Sequence, residues 1–232
     1  MSTLIEYNHY RIDDIKRNLD IAKFCPLDVM VTGVTGAGKS TTLNTLFKKE
    51  VAKVGDGVDP ETMELDSYSL NGVIRFWDTP GLGDGVEIDK IHCKKLTDLL
   101  YKTYSLDNNI YGFIDLALII IEGSNRDMGT TYKLLNDVII PNIQNDRILV
   151  AINKADSAMS GRYWDYNNNV PLENLKNFLE EQSLSIQKRV KEATNINIKK
   201  PIYYSAEHGY NIDILLNLII DNMPTIRRPI LS

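Results

Sequence analysis

The sequence predicts an α/β fold in three layers: a mostly parallel six-stranded sheet with one antiparallel strand, and helices on both faces. Three observations carry this. A Gly-rich stretch, Gly33-Val34-Thr35-Gly36-Ala37-Gly38-Lys39-Ser40, lies between an apolar run at 27–32 and a helical pattern at 40–49. Asn71-Gly72 joins two strand-like segments, so their pairing is antiparallel. Beyond them, apolar runs at 114–121, 147–152 and 201–204 alternate with helical stretches, the pattern of parallel strands buried on both faces.

The chain starts with a polar and aromatic stretch over residues 1–10. A helix is expected over 11–24, where Ile12, Ile15, Leu19 and Ala22 recur three or four apart and Asp13 and Asp14 suit the N-terminal end of the helix dipole. It precedes the first strand, so residues 1–25 are assigned as a helical extension, 26–224 as the main domain and 225–232 as a tail. The favoured role for this helix is packing on the domain to cover an edge; the alternative is a dimer contact or a sensor of bound ligand. Residues 50–63 hold Gly55, Gly57 and Pro60 and read as irregular and mobile. Strands follow at 64–70 and 73–77, a helix at 89–104 with Ile91, Leu96, Leu99 and Leu100 inward, and a polar loop at 105–112. Ile114 to Ile121 is expected to be the central strand. Then come a helix at 128–140 stopped by Pro141, a strand at 147–152 and a polar insert at 157–173 whose Tyr163, Trp164 and Tyr166 serve to anchor it. A helix at 174–194, a strand at 201–204 and a helix at 211–222 close the domain.

The Gly-rich stretch fits G-x-x-x-x-G-K-[ST], a loop that cradles phosphates. Gly33 and Gly38 let the backbone turn tightly enough for several N–H groups to converge on one anion. The phosphate-binding set is Gly33, Thr35, Gly36, Ala37, Gly38, Lys39, Ser40 and Thr41, with Lys39 adding positive charge at the outer phosphates and Ser40 a hydroxyl for Mg²⁺. Strand 73–77 ends in Asp78-Thr79-Pro80-Gly81. Asp78 at the C-terminal end of a strand faces the ligand crevice and is a second Mg²⁺ ligand, direct or through water. Gly81, without a side chain, lets its N–H approach a third phosphate. Thr62, in the irregular stretch, is the third metal-ligand candidate and, with Lys39 and Gly81, completes the catalytic set. Strand 147–152 ends in Asn153-Lys154-Ala155-Asp156, an N-K-x-D pattern. The Asp156 carboxylate suits the N1–H and 2-amino group of guanine, which adenine cannot offer, and such a site discriminates by about 10⁴–10⁵. The Lys154 stem covers the base plane and Asn153 ties this loop to the phosphate loop. Ser205-Ala206, small residues after the last strand, let backbone N–H groups reach the base.

Composition narrows the classes. The 232 residues suit one domain with additions, and net charge −5 argues against the basic face that sequence-independent nucleic-acid binding needs. No direct DNA partner is expected. Two cysteines, Cys25 and Cys93, lie in unrelated contexts, which suits a reducing, cytoplasmic compartment. The longest apolar run, 116–121, is far short of the roughly 20 residues of a membrane span, and no signal-peptide pattern begins the chain.

Taken in order, these motifs resemble the G domains of translation-factor-related GTPases over about residues 27–223. Within them the chain looks closest to the bacterial YfjP-type GTPases of the Era-like group, through Val54-Gly55-Asp56-Gly57-Val58-Asp59-Pro60-Glu61-Thr62-Met63, Trp77-Asp78-Thr79-Pro80-Gly81-Leu82-Gly83-Asp84-Gly85 and Asp156-Ser157-Ala158-Met159-Ser160-Gly161-Arg162. The Gly-Asp after the third motif is also similar to septins and the immunity-associated GTPases. The resemblance implies a GTP/GDP site with Mg²⁺.

One departure bears on rate. The glutamine that orients water in Ras-like GTPases is replaced by Leu82, and Gly36 stands where potassium-assisted relatives carry asparagine. Slow intrinsic hydrolysis is expected. The missing group would come from Thr62, Asp84, Glu87 or His92, from Arg162 or Arg126 across a homodimer interface, or from an unidentified effector or activator. The leading reading is a hydrolysing switch. The second is an assembly protein in which nucleotide cements a dimer or filament, and the third is an ATPase, against which Asp156 argues.

Overall fold

The computed structural model describes residues 7–47, 67–124 and 128–230. Thr62, Arg126 and the whole irregular stretch at 50–63 lie outside them. A six-stranded sheet runs in the order β10-β7-β6-β1-β3-β2. Its strands are β1 (Leu27–Gly33), β2 (Ser67–Leu70), β3 (Ile74–Asp78), β6 (Leu116–Glu122), β7 (Ile148–Asn153) and β10 (Ile202–Tyr203). Only β2 is antiparallel, paired to β3 across Asn71-Gly72, with φ +51° and +69° at the turn. The other pairs are parallel, as expected from the apolar runs.

Side chains of the central strands alternate between two cores, because successive residues of a strand point to opposite faces. Val29 and Val31 of β1, Leu116, Leu118 and Ile120 of β6, and Leu149 and Ala151 of β7 enter one core. Met30, Ala117, Ile119, Ile121, Val150 and Ile152 enter the other. The first core is closed by α1 (Ile12–Ala22), α2 (Lys39–Phe47) and α6 (Ile212–Ile220). The second is closed by α3 (Val86–Tyr101), by α4 (Gly129–Lys133) running on into a π-helical turn at Leu134–Ile139, and by α5 (Glu173–Thr194). Ile15, Leu19 and Ala22 of α1 are buried as their spacing predicts. Its polar contacts run to α6, with Arg11 Nη1 donating to Asn217 Oδ1 at 2.8 Å and pairing with Asp221 at 2.7 Å.

Three expectations are corrected. Helix α3 begins at Val86, with Glu87 and Asp89 in its first turn, and Ile91 faces solvent at 58% exposure while Leu96, Leu99 and Leu100 are buried. Residues 105–112 are not a loop. β4 (Thr103–Leu106) and β5 (Asn109–Gly112) form a hairpin across Asp107-Asn108, both at positive φ, the geometry a two-residue hairpin turn demands. The insert at 157–173 carries a second small hairpin, β8 (Trp164–Asp165) with β9 (Val170–Pro171). Its Trp164 is buried against Tyr210 and His208, the anchoring role expected of it, whereas Tyr163 and Tyr166 are exposed.

At the end of the sheet away from Asp78 and Asn153, the chain buries charges that periodicity did not reveal. Asp28 pairs with Arg75 at 2.6 Å, Asp115 Oδ2 accepts the Asp28 N–H at 2.9 Å, and Arg147 donates to the Asp115 and Ile226 carbonyls. Arg228 reaches the Leu100 and Asn142 carbonyls, and so straps residues 226–229 across the base of the domain.

Candidate functional site

The C-terminal ends of β1, β3 and β7, with the turn after β10, meet at one end of the sheet. The loop 33–38 leaves β1 and turns into α2. Gly33 has φ +150°, and a Cβ there would meet the Ile120 carbonyl oxygen at 2.2 Å. Gly38 has φ +86°, and a Cβ there would meet Asn153 Nδ2 at 2.2 Å. Both positions therefore require glycine, for close packing and backbone conformation. Ala37 is fully buried, while Thr35, Gly36, Ser40 and Thr41 are exposed. Lys39, 8% exposed, donates to the Val34 carbonyl at 3.1 Å. Burial pushes its pKa below the ordinary lysine value, and the Asp78 and Asp84 carboxylates oppose that shift.

Ser40 Oγ donates to Asp78 Oδ2 at 2.9 Å. This brings together the two expected metal ligands within the described residues. A hydroxyl and a carboxylate are hard oxygen donors. They fit Mg²⁺, which takes one or two protein oxygens and completes its shell with phosphates and water. No cluster of three or more His, Cys, Asp or Glu that could cage a metal occurs among the described residues. The third expected ligand, Thr62, lies outside them.

After Asp78 the loop folds back onto the phosphate loop. Thr79 Oγ1 donates to the Val31 carbonyl at 2.8 Å, and a Cβ on Gly81 would stand 2.6 Å from the Thr35 nitrogen. Leu82 is 1% exposed and packs into the second core with Met30, Leu96 and Leu99. Its side chain points into the protein, so a polar side chain is missing here for a packing reason.

Asn153 joins two loops. Its Nδ2 donates to the Ala37 carbonyl at 2.9 Å, and its Oδ1 accepts the Ala206 N–H at 3.0 Å. Asp156, 9% exposed, accepts from Ser205 Oγ at 2.5 Å on Oδ1 and from Ser157 Oγ at 2.7 Å on Oδ2. Two hydrogen bonds from serine hydroxyls fix the plane of the carboxylate, which keeps lone pairs for a ligand. Lys154, at φ +60°, places its ammonium 3.4 Å from Glu122 Oε1. The Ser205 N–H is bonded to the Tyr210 carbonyl and the Ala206 N–H to Asn153, so both backbone donors expected to reach a base are used within the chain. The serine of that pair is instead placed to orient Asp156.

Sequence reasoning missed three members of this site. Ser157 follows Asp156 directly, and that adjacency was its only signal. Glu122 ends β6 opposite Asn153 in register. Tyr204, fully buried, shares a 2.8 Å hydrogen bond with Thr42 and so ties α2 to the segment just after β10.

This geometry defines the class: a G domain, with a glycine-rich loop, a bonded Ser40–Asp78 pair beside it and an N-K-x-D loop on one sheet end. The profile of the 50S ribosome-binding GTPases matches residues 28–158, and the chain belongs to that family. The chain is 25% identical to the tRNA modification GTPase MnmE of Bacteroides thetaiotaomicron, over 85% of this chain and 36% of that protein. It is 26% identical to GTPase Der of Thermosipho africanus, over 83% of this chain and 36% of that one. It thus spans little more than a third of the length of these relatives. Toc33 from Arabidopsis thaliana, solved with Mg²⁺ and GMPPNP, shares the fold with TM-score 0.60 at 16% identity, covering 99% of this chain and 100% of that one. No helix among the described residues is long and apolar enough to cross a membrane.

Proposed function

We propose that this chain binds GTP with Mg²⁺ and hydrolyses it slowly to GDP and phosphate, acting as a nucleotide-dependent switch. The observation that carries this is the double role of Asn153, bonded at once to the phosphate loop and to the turn that holds Asp156. One side chain sets the distance between a phosphate cradle and a carboxylate suited to guanine.

Backbone N–H groups of 36 and 38–41 and the Lys39 ammonium hold the phosphates, those of Thr35 and Ala37 being bonded to the Leu82 and Val34 carbonyls, and Asp156 accepts from the guanine N1–H and 2-amino group. Lys154, drawn toward Glu122, lays its stem over the base. Ser40 and Asp78, with Thr62, hold Mg²⁺, which when bound neutralises charge on the outer phosphates. Gly81 presents its N–H to the third phosphate.

Slow turnover rests on Leu82, whose side chain is buried in the core. Of the candidates named for the missing group, Asp84 is bonded to Thr35, His92 to the Gly81 carbonyl and Glu87 to Lys90, whereas Arg162 is exposed. A second protomer supplying Arg162 is the assembly reading. Dimerisation is important for the GTPase activity of the chloroplast translocon component Toc33, a protein of the same fold. The YfjP-type placement rests on residues 54–63, 77–85 and 156–162, and a cytoplasmic location on the unpaired cysteines.

Turnover of GTP per protomer, with Mg²⁺, over a wide range of protein concentration tests this. A slow and flat rate supports the switch awaiting an activator. A rate that climbs with concentration supports completion of the site by a second protomer. Fast turnover in dilute monomer contradicts both.

A further inference from the structure

The loop after Asp78 is docked on the phosphate loop by three hydrogen bonds. The Thr35 N–H donates to the Leu82 carbonyl at 2.8 Å, and the Leu82 N–H donates to the Gly33 carbonyl at 3.3 Å. The Thr35 hydroxyl donates to Asp84 Oδ2 at 2.7 Å. Helix α3 holds the other side of this loop. Asp89 Oδ1 accepts the N–H groups of Gly83 at 2.8 Å and Asp84 at 3.3 Å, and His92 Nδ1 lies 2.6 Å from the Gly81 carbonyl oxygen. The Asp84 carboxylate is thereby fixed over the third residue of the phosphate loop.

We propose that Asp84, latched to the Thr35 hydroxyl, is the residue by which this site discriminates between a diphosphate and a triphosphate. The inference rests on the reading of the site as a guanine-nucleotide site and deepens it. Asp84 already acts on Lys39, since its charge works with that of Asp78 to favour the charged ammonium. A third phosphate needs that same ammonium and brings its own negative charge beside a carboxylate, so the two anions repel. A diphosphate leaves the carboxylate where it is. To admit a triphosphate, Asp84 must leave Thr35, and the freed hydroxyl can then donate to a phosphate oxygen instead. The exchange swaps one anionic acceptor for another on the same donor.

The latch is weak by construction. Thr35 and Asp84 are both exposed, and a hydrogen bond at such a site contributes little net stability. A bond of that strength biases the loop toward the docked state without locking it. The expected discrimination is therefore modest, within the about 5–150-fold usual for coupled equilibria.

The test is calorimetric titration of the full chain with GDP and with GMPPNP, in Mg²⁺, for wild type, Asp84→Asn, Thr35→Val and Thr35→Ser. Asn at 84 keeps an acceptor for Thr35 and removes only the charge. It raises GMPPNP affinity about tenfold relative to GDP, with GDP affinity nearly unchanged. Thr35→Val removes the latch and also the hydroxyl that a phosphate oxygen would accept from, so its ratio rises less than that of Asp84→Asn, and Thr35→Ser, which keeps the hydroxyl, retains the wild-type ratio. An unchanged ratio in Asp84→Asn, or a selective loss of GMPPNP affinity, overturns the latch while wild-type binding stands. Failure of wild type to bind either nucleotide overturns the guanine reading on which the latch rests.

Discussion

The Ser205 hydroxyl lies 2.5 Å from Asp156 Oδ1 and donates to it, across 49 positions of sequence. This bond fixes the carboxylate in one plane, so its free lone pairs face one direction. Asp156→Asn reverses half of the pattern by offering a donor where guanine also offers one. The substitution lowers GTP affinity by at least about a hundredfold and raises that for XTP, whose 2-oxo group needs a donor. Ser205→Ala leaves base preference in place and weakens GTP by about 1.5–3 kcal/mol, the scale of one charge-assisted hydrogen bond. Competition titrations with GTP and XTP check both, and unchanged preference in Asp156→Asn removes the role assigned to it.

Lys39→Ala removes a buried cation that donates to the Val34 carbonyl of the phosphate loop. Triphosphate binding is lost in calorimetry at micromolar protein. Because Lys39 is held partly desolvated, its removal does not destabilise the nucleotide-free fold, and a thermal melt without nucleotide shows no drop. Retained micromolar GTP binding contradicts the assignment.

Leu82→Gln does not create a fast enzyme. Position 82 faces the second core, where an amide meets Met30, Leu96 and Leu99 and finds no water. Stability falls by about 2–3 kcal/mol in urea denaturation, from lost apolar burial and an unsatisfied amide. Single-turnover hydrolysis is not accelerated. An acceleration of tenfold or more shows that the side chain turns outward and that burial does not set the rate.

Most of the sheet and the loops at its end were legible from the chain because they carry strong local signals. Alternating apolar residues in 116–121 must serve two faces, and Asn71-Gly72 permits the positive φ of a tight hairpin. The hairpin 103–112 was not legible, since Leu106 and Ile110 are exposed and its strands lack a buried face to set a period. Ile91 looked inward from helical spacing, yet among the described residues it is exposed together with Val86 and Ile88 in the first turns of α3. Within the site, each motif residue was visible from its spacing, but the partners Ser157, Glu122 and Tyr204 were not, because their roles depend on tertiary register. The same holds for the charges at the base of the sheet, whose partners are far apart in sequence.

Those charges give a pH prediction. Burial raises the Asp115 pKa from its ordinary carboxylate value to about 7; the hydrogen bond from the Asp28 N–H opposes the rise, the Asp28 charge adds to it, and Arg147 and Arg228 oppose it. The folded state then holds a proton that the unfolded chain has released, so between about pH 4 and pH 7 this group makes stability fall as pH rises. Below pH 4 the penalty is absent, and above pH 7 it is complete. Asp115→Asn, which keeps an acceptor for the Asp28 N–H, flattens this slope and stabilises the protein above pH 7 by on the order of 1 kcal/mol or more. Urea midpoints at pH 5 and pH 8 for both proteins measure it. A mutant that keeps the wild-type slope contradicts the assignment.

The most direct measurement is displacement of a fluorescent GDP analogue, with Mg²⁺, by GTP, GDP, ATP and XTP. GTP and GDP displace the probe at micromolar concentration or below, whereas ATP fails even at millimolar concentration, because adenine leaves Asp156 without donors. Displacement by ATP as effective as by GTP contradicts the account at its centre. The phosphate loop would then stand, but the site around Asn153, Asp156 and Ser205 would not be a guanine site.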